Sequence, residues 1–566
     1  MPNFKNLAYS IARPLGLAGD TEPMLTLVKN NLEIRNTFTG PQLLQASLQL
    51  ASKLDKLPTT RFIIATNSTE HFILWVLAGL FAGKVGIPAP VPRSKDQAQK
   101  LRRISKICAT NDVLGDANTY KLLESFATET SSLSCIQIEQ YYPLDAKPET
   151  SGDYENTLRG FHLDKDADAY VQFSSGSNSD PKGILLTQEI VYNNLKAVTT
   201  SWGITQESIF GLWLPLYHDM GLASILCALL NGSKLVLMSP LAFIQRPLRW
   251  MQLINDYNIT ISGAPPFAYD LCLKQASASN ITSLNLSTWT HAFWGAEIIN
   301  TQIFQNFKKT FKPYGFNPQA AYVTYGMAES TCFVCGSPFQ EDIKPTKADL
   351  LTKGVQPCIM NQKEEISIQI MHPEENRICK DGEQGEIYIS TTSLGKGYVL
   401  GVDKDQWSLD NSRFQIQLNP KDPEKFFKTG DIGVKINNKL WVLGRRTNAF
   451  KVAGELVLSA EVEALAAKVD PNLNPNGAAA FRSNHVDDHT AHLLIETYKP
   501  FANNFDGTSL VQEIRKKILA SLGIKIDQVL ILKRGSLPRT SSGKIRRQVI
   551  SQSFKATDYL NNTYIR

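Results

Sequence analysis

AYVQFSSGSNSDPKG, residues 169–183, decides how the chain is read. Its first five residues carry a strand signal. The run then breaks into small and polar residues and ends on a single cation, Lys182. Backbone N–H groups of such a loop can curl around an anion, and small side chains let a phosphate come close. The stretch is therefore a candidate phosphate site at a strand end, with an ordinary polar surface loop as the competing reading. The nearest simple pattern is the P-loop, G-x-x-x-x-G-K-[ST]. Pro181 replaces its second glycine and Gly183 its Mg²⁺-binding hydroxyl, which argues against a P-loop ATPase.

Outward from this stretch, residues 165–335 alternate strand-like and helix-like runs. A helix opens near Thr187, followed by GLWLPL, the apolar helix LASILCALL and the strand KLVLM. RPLRWMQLINDY follows as a helix with Pro247 in its first turn, then the strands TIS and HAFW. The helix TQIFQNFKKTF places Ile303, Phe307 and Phe311 on one stripe, and the strand AAYV closes the series. Such alternation predicts an α/β fold with largely parallel strands, in one sheet or more. The polar motifs fall just beyond strand ends: Ser174–Lys182, His218-Asp219, Gly263–Pro266, Gly295-Ala296-Glu297 and Tyr325–Glu329. In open α/β sheets that edge binds ligands.

At 566 residues the chain needs more than one domain. A net charge of +6 over this length, without a long Lys/Arg run, does not call for nucleic acid. The N-terminus lacks a secretory apolar core, and Phe72–Gly83 is too short to span a bilayer and reads as a buried helix. Eight scattered cysteines suit a reducing cytoplasm. Cys332 and Cys335 form a single CxxC, read as buried thiols rather than a zinc site. Beyond about residue 445, AAAF, HLLIETY and VLILK flank the helix SLVQEIRKKILASLG, the texture of a small α+β domain. SNHVDDHTAH, with His485, His489 and His492, reads as a solvated turn, with metal binding as the alternative.

Five elements occur in a recognisable order: FSSGSNSDPKG, YGMAES, KTGDIG, GRR and LPRTSSGKIRR. Together they resemble the adenylate-forming superfamily over nearly the whole chain. PAPVPR, LPLYHDMGL, SPLAFIQRPLRW, GAPPFAYDLC, AFWGAE and GFNPQAAYVTYGMAES resemble its fatty acyl-AMP ligase branch. The resemblance implies a large N-terminal domain of α/β sheets with packed helices over residues 1–443. It also implies a hinge at 444–450 and a small mobile α+β domain over 451–566. The activity it implies is ATP- and Mg²⁺-dependent conversion of a fatty acid to acyl-AMP. The acyl group would then pass to the phosphopantetheine thiol of an acyl carrier protein, usually beside a polyketide or peptide synthase.

By the same resemblance, Ser174, Ser175, Gly176, Ser177 and Lys182 would wrap the triphosphate, and Glu329 would hold Mg²⁺. Tyr325, with Gly326 and Met327, would cover one face of adenine, and Gly295, Ala296 and Glu297 the other. Asp431 would accept from the ribose hydroxyls and Arg445 would donate there. His218 would sit near the acyl group. Lys544 would be the main catalytic cation, bridging the carboxylate and the α-phosphate as charge builds. The other cations from Lys533 to Arg547 are expected to face an acidic carrier. The chain departs from the pattern at Thr447-Asn448, where Lys-Asp or Asp-Asp is usual, and at Ser459, where proline is usual. A fatty acyl-CoA synthetase and a non-catalytic adenylate- or carrier-binding module are the competing readings.

Overall fold

The opening strand runs from Asp168 to Ser174 and is followed by a second strand rather than directly by a helix. Lys182–Thr187 pairs antiparallel with it, Ser174 opposite Lys182, so the Ser/Gly stretch spans the end of a hairpin. Ile184, Leu185 and Leu186 are all buried, as both faces of a covered sheet require. Thr187 then caps the helix Gln188–Trp202, its side chain accepting from the N–H of Ile190. The computed structural model describes residues 6–565 other than 20, 131, 138–163, 165, 175–180, 278–280, 282, 298–300, 340–356, 360–365, 453–454, 483–490, 502–506, 540–544, 556–557 and 560–562.

Among the described residues the strands form two eight-stranded sheets and three smaller ones. One large sheet runs Cys335–Pro338, Ala321–Tyr325, His291–Trp294, Ile261–Ala264, Ile209–Leu212, Lys234–Leu237, Leu25–Val28 and Ile34–Phe38. Its interior pairs are parallel and its two edge pairs antiparallel. The hairpin belongs to the other large sheet, beside the parallel strands Val85–Pro88 and Arg61–Ile64. The expected parallel architecture is thus split between two sheets, and the strands on either side of the phosphate-loop candidate belong to the second.

The helix Thr301–Phe311 buries Phe304, Phe307 and Phe311, while Ile303 is only half-buried. Spacings of three and four follow the 3.6-residue turn more closely than the expected spacings of four and four. The apolar segment near residue 72 is the helix Thr69–Ala82, with buried residues on all sides. No described helix is long and apolar enough to cross a membrane.

A five-stranded antiparallel sheet contains Phe427–Ile436 and Lys439–Arg445. After Arg445 come a short 3₁₀ turn, Arg446–Asn448, and the strand pair Ala449–Val452 and Glu455–Leu458. A four-stranded sheet follows, built from Leu473–Arg482, Ala491–Thr497, Gln528–Leu532 and Thr563–Ile565. It shares a hydrophobic core with the helices Ser459–Ala467 and Gly507–Leu522, separate from the large N-terminal core. His492 lies on the second of these strands, buried against Phe481 and Phe554, with ring centroids 5.4 and 4.7 Å away. His485 and His489 lie outside the described residues.

Candidate active site

Asp431 and Arg445, fourteen positions apart, face each other across a hairpin. Ile436 pairs with Lys439, and the two residues between them, Asn437 and Asn438, have φ of 48° and 63°. Positive φ at both central positions is the type I′ geometry that matches strand twist. A register shift between Ile432 and Gly433 then brings Asp431 opposite Arg445. Arg445 Nε lies 2.8 Å from Asp431 Oδ1, and Tyr325 Oη donates to Asp431 Oδ2 at 2.7 Å. Burial pushes the Asp431 carboxyl above its ordinary range, outweighing the pull of Arg445 and the Tyr325 hydrogen bond. The Tyr325 hydroxyl is raised well above its usual value, first by burial and then by Asp431. Both Asp431 oxygens are engaged, yet a carboxylate has about four acceptor sites. Tyr325 and Arg445 therefore leave some of its acceptor capacity unused.

Glu329 joins this cluster from the turn after Ala321–Tyr325. Tyr398 Oη donates to Glu329 Oε1 at 2.6 Å, and Lys182 Nζ lies 4.9 Å from the Tyr398 ring centroid. The strand Tyr398–Asp403 continues this link in the backbone. Tyr398 pairs with Ile184, Val399 pairs with Gly183, and Gly395 donates to the Glu329 carbonyl at 2.9 Å. Lys182, Tyr398 and Glu329 form one linked set and Tyr325, Asp431 and Arg445 another, with Arg445 and Asp431 within electrostatic reach of Glu329. Arg413 is part of their electrostatic environment, acting on Asp431 and Tyr398. Sequence reading missed Tyr398 and Arg413; the GKGY run ahead of the strand offered only a turn signal.

The Glu329 turn is strained. Thr331 has φ 66°, unusual for a β-branched residue, and Ala296, on the neighbouring strand end, has φ 62°. Close packing fixes the backbone here. A Cβ on Gly326 would lie 1.7 Å from the Cys332 carbonyl oxygen, and one on Gly295 2.2 Å from Thr324 Oγ1.

Tyr325, Gly326 and Ala296 also border a cavity of about 60 Å³. Its walls include Met220, Ala223, Ser224 and Cys227, one face of the helix Asp219–Leu230. His218 is the N-cap of that helix, its ring 4.6 Å from Tyr217. Buried Gln172, two residues before Ser174, donates to the Tyr217 carbonyl at 2.9 Å and so ties this corner to the hairpin. Cys332 lies in the cavity wall, its thiol raised well above the ordinary value by burial, and Cys335 is buried. Both are packed thiols, as expected.

Magnesium can be tested against the donor set. Glu329 supplies a hard carboxylate, and among the described residues its Oε2 forms no hydrogen bond or ion pair. No group of three or more His, Cys, Asp or Glu converges as a metal cage among those residues. One free carboxylate oxygen suits Mg²⁺, which commonly keeps waters and takes phosphate oxygens. The residues fit.

The AMP-binding enzyme family profile matches residues 22–399. The chain belongs to the AMP-binding enzyme family. It is 29% identical over 534 residues to the medium-chain-fatty-acid–acyl-carrier-protein ligase JamA of Moorena producens, covering 90% of this chain and 87% of that one. The long-chain-fatty-acid–AMP ligase FadD26 of Mycobacterium marinum is 24% identical, with 92% of each chain covered. The crystal structure of a fatty acid AMP ligase from Legionella pneumophila superposes with a TM-score of 0.67 at 25% identity, covering 97% of this chain and 95% of that one.

In this AMP-binding enzyme, Ser174 stands at the hairpin end opposite Lys182, while Ser175, Gly176 and Ser177 lie outside the described residues. Gly295, Ala296 and Glu297 follow His291–Trp294, and buried Met327 follows Tyr325 and Gly326. Lys544 also lies outside the described residues. Two of its basic neighbours do not face outward as expected. Arg547 makes a two-pronged pair with Glu463, at 2.7 and 2.6 Å, and Arg539 reaches Glu496 at 2.8 Å. Both carboxylates are buried, and only a cation inside the fold can balance them.

Proposed function

We propose that the chain activates a fatty acid with ATP and passes the acyl group to the phosphopantetheine thiol of an acyl carrier protein. The observation carrying this reading is an apolar-walled cavity that begins at Tyr325, Gly326 and Ala296, directly against the Asp431–Arg445–Glu329 group. In the first step a carboxylate oxygen attacks the α-phosphorus, the bond to the β-phosphate breaks and pyrophosphate leaves. In the second, the thiol sulfur attacks the acyl carbon and AMP leaves with the electrons of the C–O bond. Attack by one anion on another needs charge neutralisation and alignment.

Lys182, with Ser174, Ser175, Gly176 and Ser177, would hold the triphosphate, and Lys544 would bridge carboxylate and α-phosphate. Asp431 and Arg445 would hold the ribose. Tyr325, Gly326 and Met327 would cover one face of adenine, and Gly295, Ala296 and Glu297 the other. His218 would line the approach of the acid. Mg²⁺ on Glu329 would neutralise phosphate charge. Residues 1–443 would bind the nucleotide and 451–566 swing about 444–450, a division supported by the separate C-terminal core. A polyketide or peptide synthase is the expected setting, in the cytoplasm.

Pyrophosphate release measured across a series of fatty acids tests the first step; no release with any of them would overturn the reading. Supplying CoA and loaded carrier protein separately tests the second, and fast acyl-CoA formation would make the chain a synthetase of that kind instead.

Tyr398→Phe keeps the ring under Lys182 but removes the hydroxyl that donates to Glu329. Loss of a charge-assisted hydrogen bond of about 1.5 kcal/mol corresponds to roughly tenfold. The Mg²⁺ concentration giving half-maximal pyrophosphate release should rise by about that factor. An unchanged Mg²⁺ titration would show that Glu329 needs no such support.

Arg446 Nη1 binds Glu386 Oε2 at 2.6 Å, which anchors the chain immediately before Thr447-Asn448. Exchanging that pair for Lys-Asp is expected to change the ratio of the two half-reaction rates by shifting the balance of two poses. Equal rates for both steps in parent and variant would remove these residues from the hinge.

A further inference from the structure

We propose that Trp202 is the floor of the acyl pocket and limits this chain to medium-chain acids. The inference rests on the fatty-acid reading above and adds a length to it.

The cavity has a direction. Its mouth is at Tyr325, Gly326 and Ala296, on the C-terminal ends of strands, where the nucleotide group lies. Its other end is Trp202, the last residue of the helix Gln188–Trp202. The indole stacks on Phe293 at 5.0 Å and on His291 at 6.0 Å, and tilts against Tyr322 at 6.0 Å. His291 and Tyr322 stand at the beginnings of their strands, so the ring closes the cavity at the opposite edge of the sheet. Gly203, with φ 61°, ends the helix through an N–H bond to the Thr199 carbonyl and fixes where Trp202 projects.

Two measures of depth agree. From Tyr322 to Tyr325 the strand rises about 10 Å at roughly 3.3 Å per residue. From Asp219 to Cys227 the helix rises about 12 Å at 1.5 Å per residue. An extended alkyl chain, with bonds of about 1.5 Å and angles near 111°, advances roughly 1.25 Å per carbon. The run from mouth to floor therefore takes about eight to ten carbons. Side chains along it taper in the same sense, with small Ala223 and Ser224 midway and bulky Trp202 and Phe210 at the end.

The test uses octanoic, decanoic and palmitic acids, and the acyl-sulfamoyl-adenosine mimic of each adenylate. In the parent protein, pyrophosphate release and mimic affinity should both fall by at least about tenfold from decanoyl to palmitoyl, the order of one badly fitted group in an apolar pocket. In Trp202→Ala the palmitoyl-to-decanoyl ratio should rise by about tenfold. Trp202→Phe keeps an aromatic floor and should fall between the two, so the proposal remains testable if the alanine variant does not fold. Equal use of palmitic and decanoic acids by the parent, or an unchanged length profile in both variants, would overturn it. Absence of pyrophosphate release with every acid would defeat the fatty-acid activity, while mimic binding would still read the depth of the pocket.

Discussion

Replacing Lys544 with alanine should cut fatty-acid-dependent pyrophosphate release by more than about tenfold, over ~1.4 kcal/mol of barrier. Two anions meet in the transition state, and a preorganised cation aimed at the charge between them is the kind of group whose loss is most costly. The surroundings show why the variant should still fold. Arg539 bridges to Ile545, and the N–H of Arg546 donates to the Pro538 carbonyl at 2.9 Å. Glu496 and Glu463 hold Arg539 and Arg547 on either side of the TSSGK run. These contacts survive the substitution, so circular dichroism and ATP affinity should stay near the parent's. Near-normal turnover would remove Lys544 from the mechanism.

Asp431 carries the second large effect, and it is twofold. Asp431→Ala strips Arg445 of its partner and leaves the buried Tyr325 hydroxyl without its acceptor. Removing one member of a buried pair costs about 3–5 kcal/mol. Arg445 is about half exposed, so solvent screens part of this and a loss of roughly 2–3 kcal/mol is expected. Asp431→Asn keeps an acceptor for Tyr325 and should melt closer to the parent. Both variants should bind ATP at least about tenfold more weakly in calorimetric titration, since a neutral amide accepts less strongly from ribose hydroxyls. Parent-like ATP binding by the asparagine variant would separate Asp431 from the nucleotide.

Much of this arrangement was readable because strand ends and polar motifs coincide in the chain. His218-Asp219, Gly295-Ala296-Glu297 and Tyr325–Glu329 each follow an apolar run short enough to be one strand, and the sheet gathers such ends on one edge. Tyr398 was not readable. Its link to Glu329 arises from pairing with Ile184, more than two hundred positions away, and local patterning carries no trace of that partner. The strand Lys182–Thr187 was hidden for a related reason: ILL buried on both faces shows no alternation. The basic stretch near Lys544 misled in part because charge alone does not reveal buried partners such as Glu463 and Glu496, which come from other elements.

One pairing in the first sheet bears on how the polypeptide is made. Leu25–Val28, wholly apolar but for Thr26, finds its parallel neighbour only in Lys234–Leu237. During translation, at about 5–20 residues per second, the roughly 200 residues between them take some ten to forty seconds to emerge. Throughout that interval the β-prone segment can pair only with Ile34–Phe38, its other edge stays open, and chaperone occupancy of the nascent chain should be greatest then.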